Sequence, residues 1–556
     1  MLTPKLRRQF LMPIFAALLV SGASLASTLT VTNLSDSGPG SLRTTVAAAF
    51  ANDNIVFTPT GIIVLTSPIS IAVPITISGP GANLLAISGN NATRIFNISS
   101  TVTISGVTLQ NGLANSVALR GGAISNTGSL TLDGVALKAN VAFDGGGAIY
   151  NESVSGTTGQ LKIKNSQLSG NSVSDFSGIG GGAILSTSLI GTAASITILN
   201  STITGNSANT AALGMTGGGI YYANGALKLV SSTVSGNNAG IAGGDIHQAS
   251  VANTTLSLRN SIVSGGVIAA AGATPDDTDI FQPLNAPIAS LGYNIVTNRS
   301  AGTPYSPTDA ANGANPQLGA LAANGGPTQT LLPGPMSQAF SFVPLASCVD
   351  DLGTALLRDQ RNVLRQAGGA AACDAGSAES IRLAAVQSRK RHAGIDRDIL
   401  IDKNASISGN VTVEPRTIGT GHQIVLQFTG PISQPGTANI LNSSLVSIGS
   451  ATPIINPANN SEIIVTLAGV ADNKRGTVTS INPGGSGLSF PVSIGFLLGD
   501  VNGLRAVNAS DISAVKARAG QSIDNSNFKF DVNVSGAIDP ADVSAVKARS
   551  GLVLAP

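Results

Sequence analysis

A chain of 556 residues exceeds one ordinary domain and points to two to four modules. Hydrophobic residues make up 42% and charged residues only 10%, which excludes a disordered, highly charged chain; the 66 glycines suit short strands joined by tight turns. Thirty Lys plus Arg against 28 Asp plus Glu give a formal charge of +2, so there is no electrostatic case for a nucleic-acid partner.

Lys5, Arg7 and Arg8 precede an apolar run from Phe10 to about Val20, too short to span a bilayer. Ser24-Leu25-Ala26 supplies small residues before a cleavage point. Residues 1–26 therefore read as a secretory signal peptide, and the mature chain is expected to be extracellular, secreted or cell-surface associated, with no transmembrane segment. Losing three basic residues takes Lys plus Arg from 30 to 27 against 28 acids, a formal charge of −1. The chain has two cysteines, Cys348 and Cys373. In an exported protein they read as one disulfide closing a local loop, worth about 3 kcal/mol in the loop-entropy picture.

From about Val102 to Gly266 the sequence repeats itself. One unit pairs an aliphatic residue with another five positions later: Ile104 with Leu109, Leu132 with Leu137, Ile163 with Leu168, Ile198 with Ile203, Leu229 with Val234, and Leu258 with Val263. Successive units begin 28, 31, 35, 31 and 29 residues apart. A Gly-Gly-x-Ile element interleaves, ending at Ile124, Ile149, Ile184, Ile220 and Ile246, and Asn140, Asn171, Asn206 and Asn237 each follow the second aliphatic residue by three. Alternation in short runs means strands with one inward face, and no helical period separates them. Such a strand cannot bury its face alone, so copies must stack into coils. The asparagine column is expected to form an amide ladder inside a turn.

These repeats resemble the right-handed parallel β-helices, pectate-lyase-like solenoids, of bacterial secreted proteins and adhesins. The opening Thr28-Leu29-Thr30-Val31 and Ser37-Gly38-Pro39-Gly40-Ser41-Leu42-Arg43 are similar to the first segment of that group. Asn315-Pro316-Gln317-Leu318-Gly319, Asn324-Gly325-Gly326-Pro327-Thr328, Asp359-Gln360-Arg361 and Cys373-Asp374-Ala375-Gly376 resemble the closing segment of choice-of-anchor Q proteins. The expected layout is a β-helix over 27–300 and a closing segment over 301–380.

Ser388-Arg389-Lys390-Arg391-His392 is basic and reads as part of a solvated linker over 381–404. Residues 405–498 alternate apolar and polar in runs such as Ile424–Phe428 and Ile463–Leu467, punctuated by Pro, Gly and Asn, which predicts a small immunoglobulin-like β-sandwich.

The tail, 499–556, carries one pattern twice. Asp500 to Asp511 precedes Ile512-Ser513-Ala514-Val515-Lys516, and 31 residues later Asp531 to Asp542 precedes Val543-Ser544-Ala545-Val546-Lys547. Oxygen donors at loop positions 1, 3, 5, 9 and 12, with a backbone carbonyl at 7, suit calcium. The second loop offers Asp531, Asn533, Ser535, Asp539 and Asp542; the first offers Asp500, Asn502, Asn508 and Asp511 but has Leu504 at position 5 and Arg505 at the usual glycine position. The duplicated loop and helix resembles a type I dockerin, which implies bound Ca2+ and a cohesin-like partner. The residues at positions 10 and 11, Ala509-Ser510 and Pro540-Ala541, are not a polar pair in both repeats, so the cohesin remains one alternative.

Three functions stay open for the β-helix. A binding protein for polysaccharide or another cell-surface component would use residues following the Gly-Gly-x-Ile element: Ser125, Tyr150, Leu185, Tyr221 and His247 share an outward column, and Tyr150 and Tyr221 could present ring faces to sugars. A polysaccharide lyase or hydrolase would need paired carboxylates, for which Asp144 and Asp175 are the candidates, although the five acids between Gly61 and Gly266 follow no repeat position. A structural spacer or adhesin needs neither. His247 reads as a surface or turn residue, and no catalytic residue is assigned.

Overall fold

The structure is a computed structural model. It describes residues 26–556 apart from 117–118, 155–158, 175–178, 189–191, 209–213, 250–253, 270–277, 284–287, 300–304, 335–336, 366–371, 418–420, 433 and 486–488. The predicted signal peptide, up to Leu25, lies outside the described residues.

The chain forms a right-handed parallel β-helix, with four all-parallel sheets of ten, nine, eight and six strands among the described residues. The repeat fixes the register. Ile104, Leu132, Ile163, Ile198, Leu229 and Leu258 pair in succession up one sheet, and Leu109, Leu137, Leu168, Ile203, Val234 and Val263 up the next. Ile124, Ile149, Ile184, Ile220, Ile246 and Ile280 make the third column. All but Ile280, at 1%, are wholly shielded from solvent, and each such side chain contributes roughly 1.5–3 kcal/mol by burial. The second glycine of each Gly-Gly pair is demanded by the stacking. A Cβ on Gly147 would lie 2.2 Å from the Gly182 carbonyl oxygen of the next coil, and one on Gly182 2.1 Å from that of Gly218.

Polar ladders line two corners. Asn140, Asn171 and Asn206 each donate Nδ2 to the Oδ1 of the next asparagine at 2.8–2.9 Å. Ser166, Ser201, Ser232 and Ser261 form a second ladder, each hydroxyl accepting the backbone N–H of the equivalent position one coil before. The asparagine ladder ends where Gly266 takes the next position and brings no side chain. There Asp245 reaches in from the neighbouring corner and accepts both Asn237 N and Asn237 Nδ2, and Asp279 accepts Gly266 N. At the other end the helix Leu42–Ala48, capped by Ser41, buries Leu42 and Val46 against the first coils.

The closing segment folds back over the outside of the helix. Lys162 Nζ bonds Asp351 at 2.9 Å, Gln360 accepts Thr202 Oγ1 at 2.7 Å, and the buried Arg365 donates to Asn200 Oδ1 at 2.6 Å and Glu379 Oε1 at 2.7 Å. Cys348 and Cys373 are disulfide-bonded, with Cα atoms 6.4 Å apart.

A two-sheet β-sandwich follows. One sheet orders Ile395–Leu400, Leu383–His392, His422–Phe428, Asn459–Ala468 and Ser450–Asn456; the other orders Thr412–Glu414, Ser489–Phe496, Lys474–Ile481 and Thr437–Leu441. The expected linker over 381–404 is therefore corrected: its residues supply a β-hairpin of the first sheet. Its basic residues alternate sides. Ser388, Lys390 and His392 are buried, while Arg391 is exposed. Composition suggested a solvated stretch, but each inward side chain has a specific partner: Glu414, the Gly421 carbonyl and Asp531.

The tail has two short helices, Ala509–Lys516 and Pro540–Lys547, packed on each other. Their core of Val501, Val507, Val515, Val532, Ile538 and Val546 is continuous with Val411, Val413 and Leu497 of the sandwich.

Candidate functional site

The two loops of the tail share one backbone design. Leu504 N and Arg505 N donate to the two oxygens of Asp500 at 3.0 and 2.7 Å; Ser535 N and Gly536 N donate to those of Asp531 at 3.0 and 2.9 Å. Asp511 accepts Asn502 N and Asn508 N, and Asp542 accepts Asn533 N and Asp539 N. Asn508 and Asp539 cap the helices. Positions 4 and 6 have positive φ in both loops, 74° and 64° at Gly503 and Arg505, 58° and 94° at Val534 and Gly536. Arg505 thus leaves the loop's shape intact, while Leu504, which is exposed, brings no side-chain oxygen where the second loop has Ser535.

The acids that open and close these loops, Asp500, Asp511, Asp531 and Asp542, are buried. Burial pushes the Asp500 carboxyl above its ordinary value, with Asp511 adding to the rise. Burial likewise raises Asp542, with smaller contributions from the charges of Asp531 and Asp539. Shielded carboxylates that disfavour one another's charge make a place where a hard cation relieves repulsion, so the donor set fits calcium. Among the described residues no three His, Cys, Asp or Glu side chains already converge at metal-binding spacing.

Asp531 differs from Asp500 in one respect. Burial opposes its charge, but the bonds from His392, Gly536 and Ser535 outweigh that and lower its pKa. His392 Nδ1 lies 2.8 Å from Asp531 Oδ2, both side chains fully buried. His392 Nε2 faces Arg416 Nη1 at 3.2 Å, and Arg416 is clamped by both oxygens of Glu414 at 2.7 and 2.8 Å. His392, Arg416 and Glu414 were not singled out as site residues by the sequence, since nothing in their spacing ties them to the second loop, where Asp531 lies 139 residues after His392.

On the β-helix, Ser125, Tyr150, Leu185, Tyr221, His247 and Phe281 fall in one register column. Tyr150 and Tyr221 are separated by Leu185, so they do not form a joint platform. Tyr150 is buried: the Arg120 guanidinium lies 5.3 Å from its ring centre, and its hydroxyl meets Arg120 at 3.3 Å and Thr187 at 3.2 Å. Tyr221 is half-buried and stacks on His247 at 5.0 Å, which stacks on Phe281 at 4.6 Å. The expectation of a surface His247 is corrected. The residue is buried in this stack, and burial lowers its pKa to about 4. Asp144 is paired with Arg120 at 2.8 Å, and Asp175 lies outside the described residues.

A cleft of about 560 Å3 opens where the closing segment crosses the β-helix, lined among others by Asp133, Asn165, Asn200, Arg358 and Asn362. Asn200 donates to Asn165 Oδ1 and Asn165 to Asp133 Oδ1, each at 2.8 Å, so the wall is a continuous chain of polar side chains.

Residues 498–549 match the family described as Dockerin type I domain. Domains of that type bind calcium, as the loop chemistry anticipates. No curated protein matches the sequence. Among solved structures the chain is similar to the 1.7 Å crystal structure of jun a 1, the major allergen from cedar pollen, at 13% identity over 52% of this chain and 81% of that one, with a TM-score of 0.29. No helix of the described residues is long and apolar enough to cross a membrane.

Proposed function

We propose that this is a secreted, surface-associated β-helix protein of the choice-of-anchor Q kind that binds polysaccharide or another cell-surface component and is attached through a calcium-loaded dockerin to a cohesin. The duplicated loop and helix of the tail carries the attachment reading. In it Asp531, Asn533, Ser535, Asp539 and Asp542 hold one calcium, and Asp500, Asn502, Asn508 and Asp511 a weaker one. The signal-like N-terminus supports export.

The polysaccharide reading is supported by the cleft beside the closing segment, where the half-buried Asn165 and Asp133 line the wall; Asp133 is also paired with Lys164 at 2.9 Å, and the buried Asn200 holds Asn165 in place. The half-buried edge of Tyr221 is a secondary contact; Tyr150 orders Arg120 and serves as support. The ion pair of Asp144 with Arg120 supports binding over degradation, since it engages one of the two candidate carboxylates.

Two measurements on the full chain test the proposal. Retention on immobilised type I cohesins is expected with calcium and lost with EDTA; no retention on any cohesin in calcium refutes the attachment. A panel of plant and bacterial polysaccharides, scored for retention and for released product, is expected to give retention alone. Product release that disappears in Asp144→Asn would replace binding with catalysis.

A further inference from the structure

The sandwich reaches into the second calcium loop through a chain of four buried polar side chains, Glu414, Arg416, His392 and Asp531. An arginine carries only donors, so Nε2 of His392, facing Arg416 Nη1, must accept. The ring proton is then on Nδ1, and the bond to Asp531 Oδ2 runs from imidazole to carboxylate. Oδ2 is thus held by two donors, His392 at 2.8 Å and Gly536 N at 2.9 Å, which fixes the rotation of the carboxylate and leaves Oδ1 facing the loop beside Ser535 N.

The surroundings lock this arrangement. Thr417 N donates to the Val532 carbonyl at 2.7 Å, inside the loop itself. Phe528 sets its ring edge-on to His392 at 5.9 Å and lies 5.4 Å from the Arg416 guanidinium. A Cβ on Gly536 would stand 3.1 Å from the Ala393 side chain, so the turn at position 6 is seated against the hairpin. In the first loop, among the described residues, the bonds to the Asp500 carboxylate come from the loop's own backbone.

We propose that His392 is a positioning residue of the second calcium loop, so that calcium binding there and the seating of the dockerin on the sandwich are one coupled event. This rests on the calcium reading of the loop. Outer-shell partners of this kind typically change metal affinity about 10- to 100-fold when removed. Coupling is reciprocal, so calcium in the loop must in turn tighten the sandwich contact.

The test is calorimetric titration of calcium into the full-length Asp500→Ala variant, in which the second loop is the site left. Adding His392→Ala is expected to weaken that site about 10- to 100-fold, while the far-UV spectrum of the β-helix stays that of the parent. His392→Gln keeps one donor and one acceptor and is expected to recover most of the affinity. If the Asp500→Ala parent binds no calcium, the calcium reading and this inference fall together. If the parent binds and His392→Ala binds equally well, the inference alone falls. It also falls if His392→Gln is as weak as His392→Ala, because the loss would then reflect packing rather than the hydrogen bond.

Discussion

Asn206 sits in the middle of the asparagine ladder and is 1% exposed. Its Oδ1 accepts Asn171 N at 3.0 Å and Asn171 Nδ2 at 2.8 Å; its Nδ2 donates to Asn237 Oδ1 at 2.8 Å and to the Leu168 carbonyl at 3.1 Å. Asn206→Ala takes away the Oδ1 that satisfies the backbone N–H of Asn171 and one side-chain N–H, both in the interior. A buried donor left without a partner costs about 1–3 kcal/mol, so two give roughly 2–6 kcal/mol. The matched control is Thr197→Ala, a half-buried outward position on the strand Ala194–Leu199, expected within about 0.5 kcal/mol of the parent. Urea unfolding of both variants, followed by far-UV circular dichroism, separates them. If Asn206→Ala unfolds with the Thr197→Ala midpoint, the ladder contributes no stability and the corner is held by its backbone bonds alone.

Acid should weaken the fold in a defined window. His247 and His422 are buried, and burial lowers the pKa of each to about 4, against 6.5 for the ordinary imidazole. The folded state then binds fewer protons than the unfolded one, so stability is full above pH 6.5 and falls as pH drops toward 4. The loss is about 3 kcal/mol per histidine. Unfolding midpoints measured from pH 7.5 to 4 should flatten in His422→Phe; an unchanged profile rules His422 out as a source. In calcium titrations of the full chain, Asp531→Ala should remove the tighter site and Asp500→Ala should leave it nearly intact; the reverse would mean that Leu504 does not impair its loop. Thiol titration of the unfolded, unreduced protein should find no free thiol, and two would contradict the Cys348–Cys373 bond.

The β-helix was legible because its signal is repeated. One inward residue is weak information, but an offset of five recurring six times leaves a single register. The asparagine ladder followed from the same spacing. Its end did not, because Gly266 breaks the pattern at the ladder position and the substitute, Asp245, stands in the Gly-Gly-x-Ile element, where it reads as a turn residue. His247 was misjudged for a related reason. Its column faces outward in the strand, and the neighbouring rings of Tyr221 and Phe281, placed by coil stacking, cover it on both sides.

The hairpin Leu383–Leu400 shows why module boundaries were harder to read than the modules. Its charged residues are the kind that mark a linker when counted, and alternation reverses the reading only if each inward polar side chain has somewhere to go. Those destinations lie far away in sequence: Glu414, the Gly421 carbonyl and Asp531. The same holds on the other flank, where Leu332 and Ala378 of the closing segment enter the core of the sandwich beside Ile381. A Cβ on Gly325 would collide with Pro431 at 2.5 Å. Closing segment, sandwich and tail therefore share buried contacts across each junction. The second loop of the tail meets the hairpin directly, through His392 and Asp531. That hairpin pairs directly with the strand His422–Phe428, and its neighbour Ile381 packs with the closing segment. The tail, the sandwich and the closing segment are thus joined by packed side chains rather than by a tether.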